Sequence, residues 1–303
     1  MGRMRLAAWA VATAVLVAGC GFAGGVDGGR DDAGGGGDRL RGQAEAALAR
    51  YDDAVRAAGG RQKFVPVGEL TGVIGDLEPQ NGDYKLSIGA GRFVAAGKLP
   101  EAPRATGEVV WADKSRLALP LVSAEQALAD IVAGGTPDCG ECETLEVTGA
   151  RLATVDVPTT RGRATVPAWV FSVAGTKLRV SRVAVEGRGA VTVTPPSWDP
   201  DNAPGGLAVD SASVAGGNRL TVGFTGAPEA GDVPCGIDYT AEAVESVNAV
   251  AVIVRADPHD ANETCTSIGA ARTATVELAA PLGERAVLEV QQGLPVPLTG
   301  RTG

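Results

Sequence analysis

Cys139-Gly140-Glu141-Cys142 has the spacing of a redox dithiol, and His259 among Asp257, Asp260 and Glu263 offers groups that could ligate a metal or move a proton. A catalytic Cys-x-x-Cys needs its first thiolate at a helix N-terminus, where the dipole and nearby cations lower its pKa. Here a helical pattern precedes the pair and a β-rich stretch follows. Asp138, Glu141 and Glu143 also surround the sulfurs with negative charge, so the pair reads as a loop staple. Zinc needs three or four ligands, and no second pair follows at suitable spacing. His259 is the only histidine, and its Pro-containing hydrophilic surroundings read as a solvated loop. No serine stands in a Gly-x-Ser-x-Gly elbow. Asp199, Asp201 and Asn202 imitate the start of a calcium loop without its glycine and closing glutamate. Gly89-Ala90-Gly91-Arg92-Phe93 is too short to cradle a phosphate and reads as a turn. Asp52 and Asp53 lie on the polar face of a helix. No catalytic residue, metal site or cofactor is therefore expected.

These residues need an address before they need a mechanism. Arg3 and Arg5 precede the uncharged run Leu6 to Val17, and the run ends in Val17-Ala18-Gly19-Cys20. Basic flank, apolar segment and small residues make an export signal over residues 1–19, too short for a membrane span. The junction resembles the lipobox of bacterial lipoproteins. That resemblance implies that the Cys20 thiol carries a diacylglycerol and that the chain is cut before it. Cys20 is then the mature N-terminus, held at the extracytoplasmic face of the cell membrane by acyl chains.

Cleavage there removes two basic residues and no acid, so the 27 basic residues fall to 25 against 36 acidic, a net charge of −11. Such a chain is repelled by phosphate backbones and anionic headgroups. Nucleic acid is not expected as a partner, and the acyl chains are left as the membrane attachment. Four cysteines remain after lipidation, and an even number in an oxidising compartment implies two disulfides. Of the three pairings, Cys139 with Cys142 and Cys235 with Cys265 keep each bridge inside one proposed domain.

Along the chain, residues 20–37 are mostly Gly, Asp and Ala, with too little to bury, and read as a flexible tether. Asp38 to Ala58 places Leu40, Ala44, Ala47, Leu48, Tyr51 and Val55 on one helical face, with Gly59-Gly60 as the stop. Short β-type runs follow at Phe64 to Val67, Tyr84 to Ile88, Val109 to Trp111 and Leu117 to Leu121. A helix capped by Ser123 and Gln126 spans Ala124 to Ala133, and long strands are expected at Thr144 to Val157, Ala164 to Val173 and Lys177 to Val185. Residues 195–206 hold four prolines and two glycines, a linker or wrapped crossover. Residues 207–298 carry short strands at regular spacing, the pattern of a β-sandwich, and 299–303 are a tail.

The expected fold class is thus α+β: an N-terminal helix and α+β domain over residues 38–194, then a small all-β sandwich-like domain. Cys-x-x-Cys followed by VTGARL, then VPAWVF and PLGERAVL, resemble stretches of uncharacterised lipoproteins from high-GC Gram-positive bacteria. That resemblance implies the same location and the same pair of domains, and no activity. The expected role is non-enzymatic binding or interaction, with an unknown protein or small-molecule ligand. The alternatives are a transporter's solute-binding lipoprotein and, after it, a cell-envelope hydrolase.

Overall fold

The computed structural model describes residues 35–60, 64–75, 82–136, 139–186, 190–197, 199, 203–214, 216–260 and 262–299. Cys20, with the signal segment and tether as far as residue 34, lies outside the described residues.

In chain order the first elements are α1 (Gly35–Ala57), β1 (Thr71–Ile74), α2 (Gly82–Gly89) and β2 (Phe93–Ala95). Next come β3 (Thr106–Trp111), β4 (Arg116–Pro120), α3 (Ala124–Gly134), β5 (Leu145–Thr159), β6 (Gly162–Val173) and β7 (Arg179–Val183). The C-terminal lobe holds β8 (Ser211–Val214), β9 (Arg219–Gly226), β10 (Ile237–Glu245) and β11 (Ala249–Pro258). It ends with β12 (Ala270–Glu277), β13 (Ala286–Glu289) and β14 (Leu298–Thr299).

Strands take up 41% of the residues and helices 16%, so the α+β expectation is corrected to a β-dominated fold with several sheets. The physical reason is visible in two places. Tyr84 to Ile88, expected as a strand, coils into α2, yet α2 is only eight residues long and α3 only eleven. The long helix α1 does not build an N-terminal α+β domain with them. It lies on the C-terminal lobe, where Ala44, Ala47, Leu48, Tyr51 and Val55 pack with Ala249, Ala251, Ile253, Ala286, Leu288 and Val290.

In the N-terminal lobe a seven-stranded sheet runs β1-β7-β6-β3-β4, with β5 on the other edge of β6 and β2 beside β5. The β5–β6 hairpin is its spine, and its two ends serve two cores. Trp169, Phe171 and Val173 pack with Leu145, Val147 and the α3 residues Ala127, Leu128 and Ile131. Val157, Ala164 and Val166 pack with Val109, Trp111 and Leu119. Both buried indoles find acceptors: Trp169 Nε1 donates to the Val122 carbonyl at 2.9 Å, and Trp111 Nε1 to Thr159 Oγ1 at 3.2 Å. The Arg161 guanidinium also covers the Trp111 ring at 4.4 Å. Ser123 caps α3 by accepting from the Gln126 N–H, while the Gln126 side chain turns away to Asp130.

The C-terminal lobe is a sandwich of a three-stranded sheet, β10-β11-β13, and a four-stranded sheet, β12-β9-β8-β14. Val250, Val252 and Val254 of β11 face Leu220, Val222 and Phe224 of β9 across the core. Their neighbours Ala249, Ala251 and Ile253 point the other way, under α1. β11 is therefore buried on both faces, and the lobe has three layers, with the helix outermost. Val65 and Val191 of the N-terminal lobe join the same helix-side cluster. The Pro/Gly segment wraps α1: Arg39 Nη2 donates to the Ala203 carbonyl at 2.8 Å, and the Gln43 carboxamide pairs with both the N–H and the carbonyl of Gly205.

One end of the sandwich is fastened by charge. Burial pushes the Glu245 carboxyl up, but the Ala279 N–H at 2.6 Å and the Arg285 guanidinium outweigh it, and the pKa lies below the ordinary value. A carboxylate with a depressed folded-state pKa contributes stability that is present above its unfolded pKa and lost as pH falls through the folded one. Glu245→Gln is expected to cost about 1 to 2 kcal/mol at pH 7. Urea unfolding across pH should show that gap narrowing as pH falls below the ordinary glutamate range and closing once the folded-state carboxyl protonates.

Candidate functional site

A cavity of about 720 Å³ runs beside α1 and is walled by the Pro/Gly crossover. Arg39, Gln43, Ala46 and Arg50 recur at steps of four, three and four residues, so they share one stripe of the helix, next to the apolar stripe that packs on the sheet. Pro195, Pro196 and Pro204 form the opposite wall, and Gln291 and Gln292 close the end. The turn carrying these two glutamines is held by a buried carboxylate, 7% exposed. Glu289 accepts the N–H groups of Gln291, Gln292 and Leu294 at 2.8, 2.7 and 3.2 Å. Gln43 is fixed as well, donating to the Val290 carbonyl at 2.8 Å.

Arg50 is the open valence of this groove. Its Nη2 lies 3.4 Å from the Gln292 carbonyl, and its buried Nε has no hydrogen-bond partner among the described residues. Guanidinium and carboxamide groups set on fixed backbone can hold an anionic or heavily hydroxylated ligand. Among the described residues no histidine, cysteine or lysine lines the groove; beside the donors stand one hydroxyl, Ser197, and one carboxylate, Asp199.

A second cleft, about 480 Å³, opens in the N-terminal lobe between β1, the C-terminal turn of α2 and the end of α3. It depends on Gly135, where a Cβ would lie 2.3 Å from the backbone carbon of Ala90; only a bare backbone lets the two helix ends meet. Arg182 of β7 enters this cleft. Val180 and Ala184, two residues to either side, belong to the core under α3, so Arg182 occupies a core-facing position. Burial lowers its pKa, and Asp130 and Glu69 act against that shift; a guanidinium stays charged in either case.

The sequence-expected residues are placed as follows. Cys235 and Cys265 are disulfide-bonded with Cα atoms 5.6 Å apart, tying the loop before β10 to the loop after β11. Cys139 and Cys142 are bonded in the turn between α3 and β5. His259 is better held than its loop context implied, with Nδ1 3.0 Å from Glu263 Oε1 while Glu263 Oε2 accepts the Cys235 N–H. The sulfurs of Cys235 and Cys265 and a Glu263 oxygen lie within 4.8 Å of one another, a metal-like spacing. The two sulfurs are spent on each other, so the bridged set offers one carboxylate and no thiolate. Asp260 is tied to Asn262, whose backbone and side-chain N–H groups hold its carboxyl below the ordinary pKa. Asp257 pairs in register with Asp238 on the neighbouring strand. Asp52 accepts from Asn248 at 2.9 Å, and Asp53 pairs with Arg56. Asp199 lines the groove, while Asp201 and Asn202 lie outside the described residues.

Sequence reasoning missed Arg39, Gln43, Arg50, Gln291, Gln292 and Arg182. The polar stripe at helical spacing and the arginine at an apolar-phase strand position were the available signals. No family model, curated protein or solved structure matches the chain.

Replacing Cys235 and Cys265 by Ser should cost about 2 to 5 kcal/mol in denaturant unfolding, because the bridge spans a sequence separation of 30. The same change at Cys139 and Cys142, separated by 3, should cost less. His259→Ala should change stability by no more than ~0.5 kcal/mol, as exposed substitutions usually do. A loss above ~1.5 kcal/mol would show instead that the imidazole–Glu263 pair holds the Cys235 turn.

Proposed function

We propose that this chain is a lipoprotein anchored at the extracytoplasmic membrane face through acylated Cys20, and that it binds a ligand in the groove along α1 without transforming it. The groove carries the second half of the reading. It sets Arg39, Gln43, Arg50 and two glutamines on rigid supports, leaves one guanidinium nitrogen without a hydrogen-bond partner among the described residues, and has no histidine, cysteine or lysine in its described lining. A buried, unpartnered donor costs stability, and a chain that keeps one at the mouth of a cavity keeps it for a partner. The anchor rests on the Val17-Ala18-Gly19-Cys20 junction and on two disulfides of the kind that oxidising compartments favour. No described helix is long and apolar enough to cross a membrane.

Each half has its own measurement. In a lipoprotein-processing bacterial host, wild type should incorporate labelled palmitate and sediment with membranes. Cys20→Ser should do neither; a Cys20→Ser chain that still matures and stays anchored would falsify the lipobox reading. For the groove, Arg50→Met should be neutral or stabilising by up to ~1 kcal/mol in thermal unfolding, since it removes an unsatisfied buried donor. A loss of more than 1 to 2 kcal/mol would identify Arg50 as a structural strut and remove the argument for a ligand there.

A further inference from the structure

The cleft at Arg182 has a charge arrangement unlike that of the groove. A guanidinium on a core-facing strand position normally meets a carboxylate directly, because burying an unpaired charge is costly. Arg182 does not. Among the described residues its guanidinium donates to Thr71 Oγ1 at 3.1 Å and forms no ion pair, although Asp130 and Glu69 line the same cavity. Asp130 uses Oδ1 to accept from Gln126 at 2.8 Å, and the Glu69 carboxylate makes no hydrogen bond or close ion pair among the described residues. Cation and anions therefore face one cavity without touching.

The walls between them are of two kinds. Leu70, Ile88 and Ile131 supply apolar surface, while Gly134 and Gly135 thin the wall and bare the backbone at the end of α3. A volume of about 480 Å³ lies in the range of small-ligand sites and is open to solvent at one side. A ligand that completes these groups must present a carboxylate to Arg182, an ammonium to Asp130 and Glu69, and a hydrocarbon portion to the isoleucines. We propose that this cleft is a binding site for a zwitterionic α-amino acid with an apolar side chain. The proposal goes beyond the groove reading and needs neither the groove nor the anchor to be correct.

Isothermal titration calorimetry on the purified full chain in detergent, using the twenty standard α-amino acids singly, tests it. L-Leucine, L-isoleucine or L-valine should bind at one site per chain. N-acetyl-L-leucine lacks the ammonium and L-leucinamide lacks the carboxylate; each should bind at least tenfold more weakly than L-leucine. Asp130→Asn and Arg182→Met should each weaken binding at least tenfold, and Glu69→Gln should weaken it measurably. Glu69 is exposed, so its variant stays informative even if Arg182→Met fails to fold. The proposal is overturned if no amino acid binds, if the blocked forms bind as tightly as L-leucine, or if Asp130→Asn and Glu69→Gln leave affinity unchanged. Cys20→Ser should bind as wild type does, so failure of the anchor reading and failure of this site are told apart.

Discussion

The packing of β11 on both its faces is the constraint from which the C-terminal half of the molecule follows. Ala249-Val250-Ala251-Val252-Ile253-Val254 alternates between a large-residue face and a mostly small one, and all six side chains are buried. The valines fill the space between two sheets. The alanines leave room on the opposite side for a helix to come close, and that helix answers with Ala44 and Ala47. Strands buried on both faces lose the polar alternation that would mark an outside. A larger residue at Ala251 would lift α1, and the crossover wrapped around the helix would lose its footing with it. The long groove exists only because helix, crossover and the Glu289 turn are held at fixed separations by this one strand and its neighbour β13.

What the sequence made legible is local. The cap at Ser123 is met within three residues, and the β6–β7 turn at Gly175 has the positive φ that glycine permits. The two bridges need only the pairing of near neighbours within a lobe, and the apolar stripe of α1 needs only helical periodicity. The partner of that stripe was a different matter. Nothing in Asp38 to Ala58 says that the helix will lie on strands some two hundred residues later, and placing it with the nearest elements produced the wrong fold class. Tyr84 to Ile88 failed for a related reason: Tyr84-Lys85-Leu86-Ser87-Ile88 alternates like a strand, yet Tyr84 and Ile88, four residues apart, pack together against the core that holds α3 and β5.

The candidate sites were harder still. Gln43 meets Gly205 and Val290, and Arg182 meets Thr71, across separations that no spacing rule covers. The cysteines and His259 drew attention because their side chains are chemically distinctive. The groove is lined mainly by arginines, glutamines and prolines and the cleft mainly by glycines and apolar residues around Arg182, common types whose importance comes only from what surrounds them. Their setting is also selective by charge. The chain is strongly acidic overall, yet its cavities hold guanidinium groups set back from the surface. An incoming anion is repelled at long range and attracted only within a few ångströms, which favours small or zwitterionic ligands over polyanions.

The contact between α1 and the last strands also fixes an order of events. Residues 35–57 are made well before their partners: their apolar face is covered by residues 249–253 and 286–290, so that cover is complete only once residue 290 has been made. An isolated helix with this Ala-rich stripe is marginal in water. The chain cannot close its third layer progressively from its N-terminus, and closing it brings in the loop-closure entropy of a long intervening segment. The topology delays the native state until β11 and β13 exist, and those two strands act as the latch.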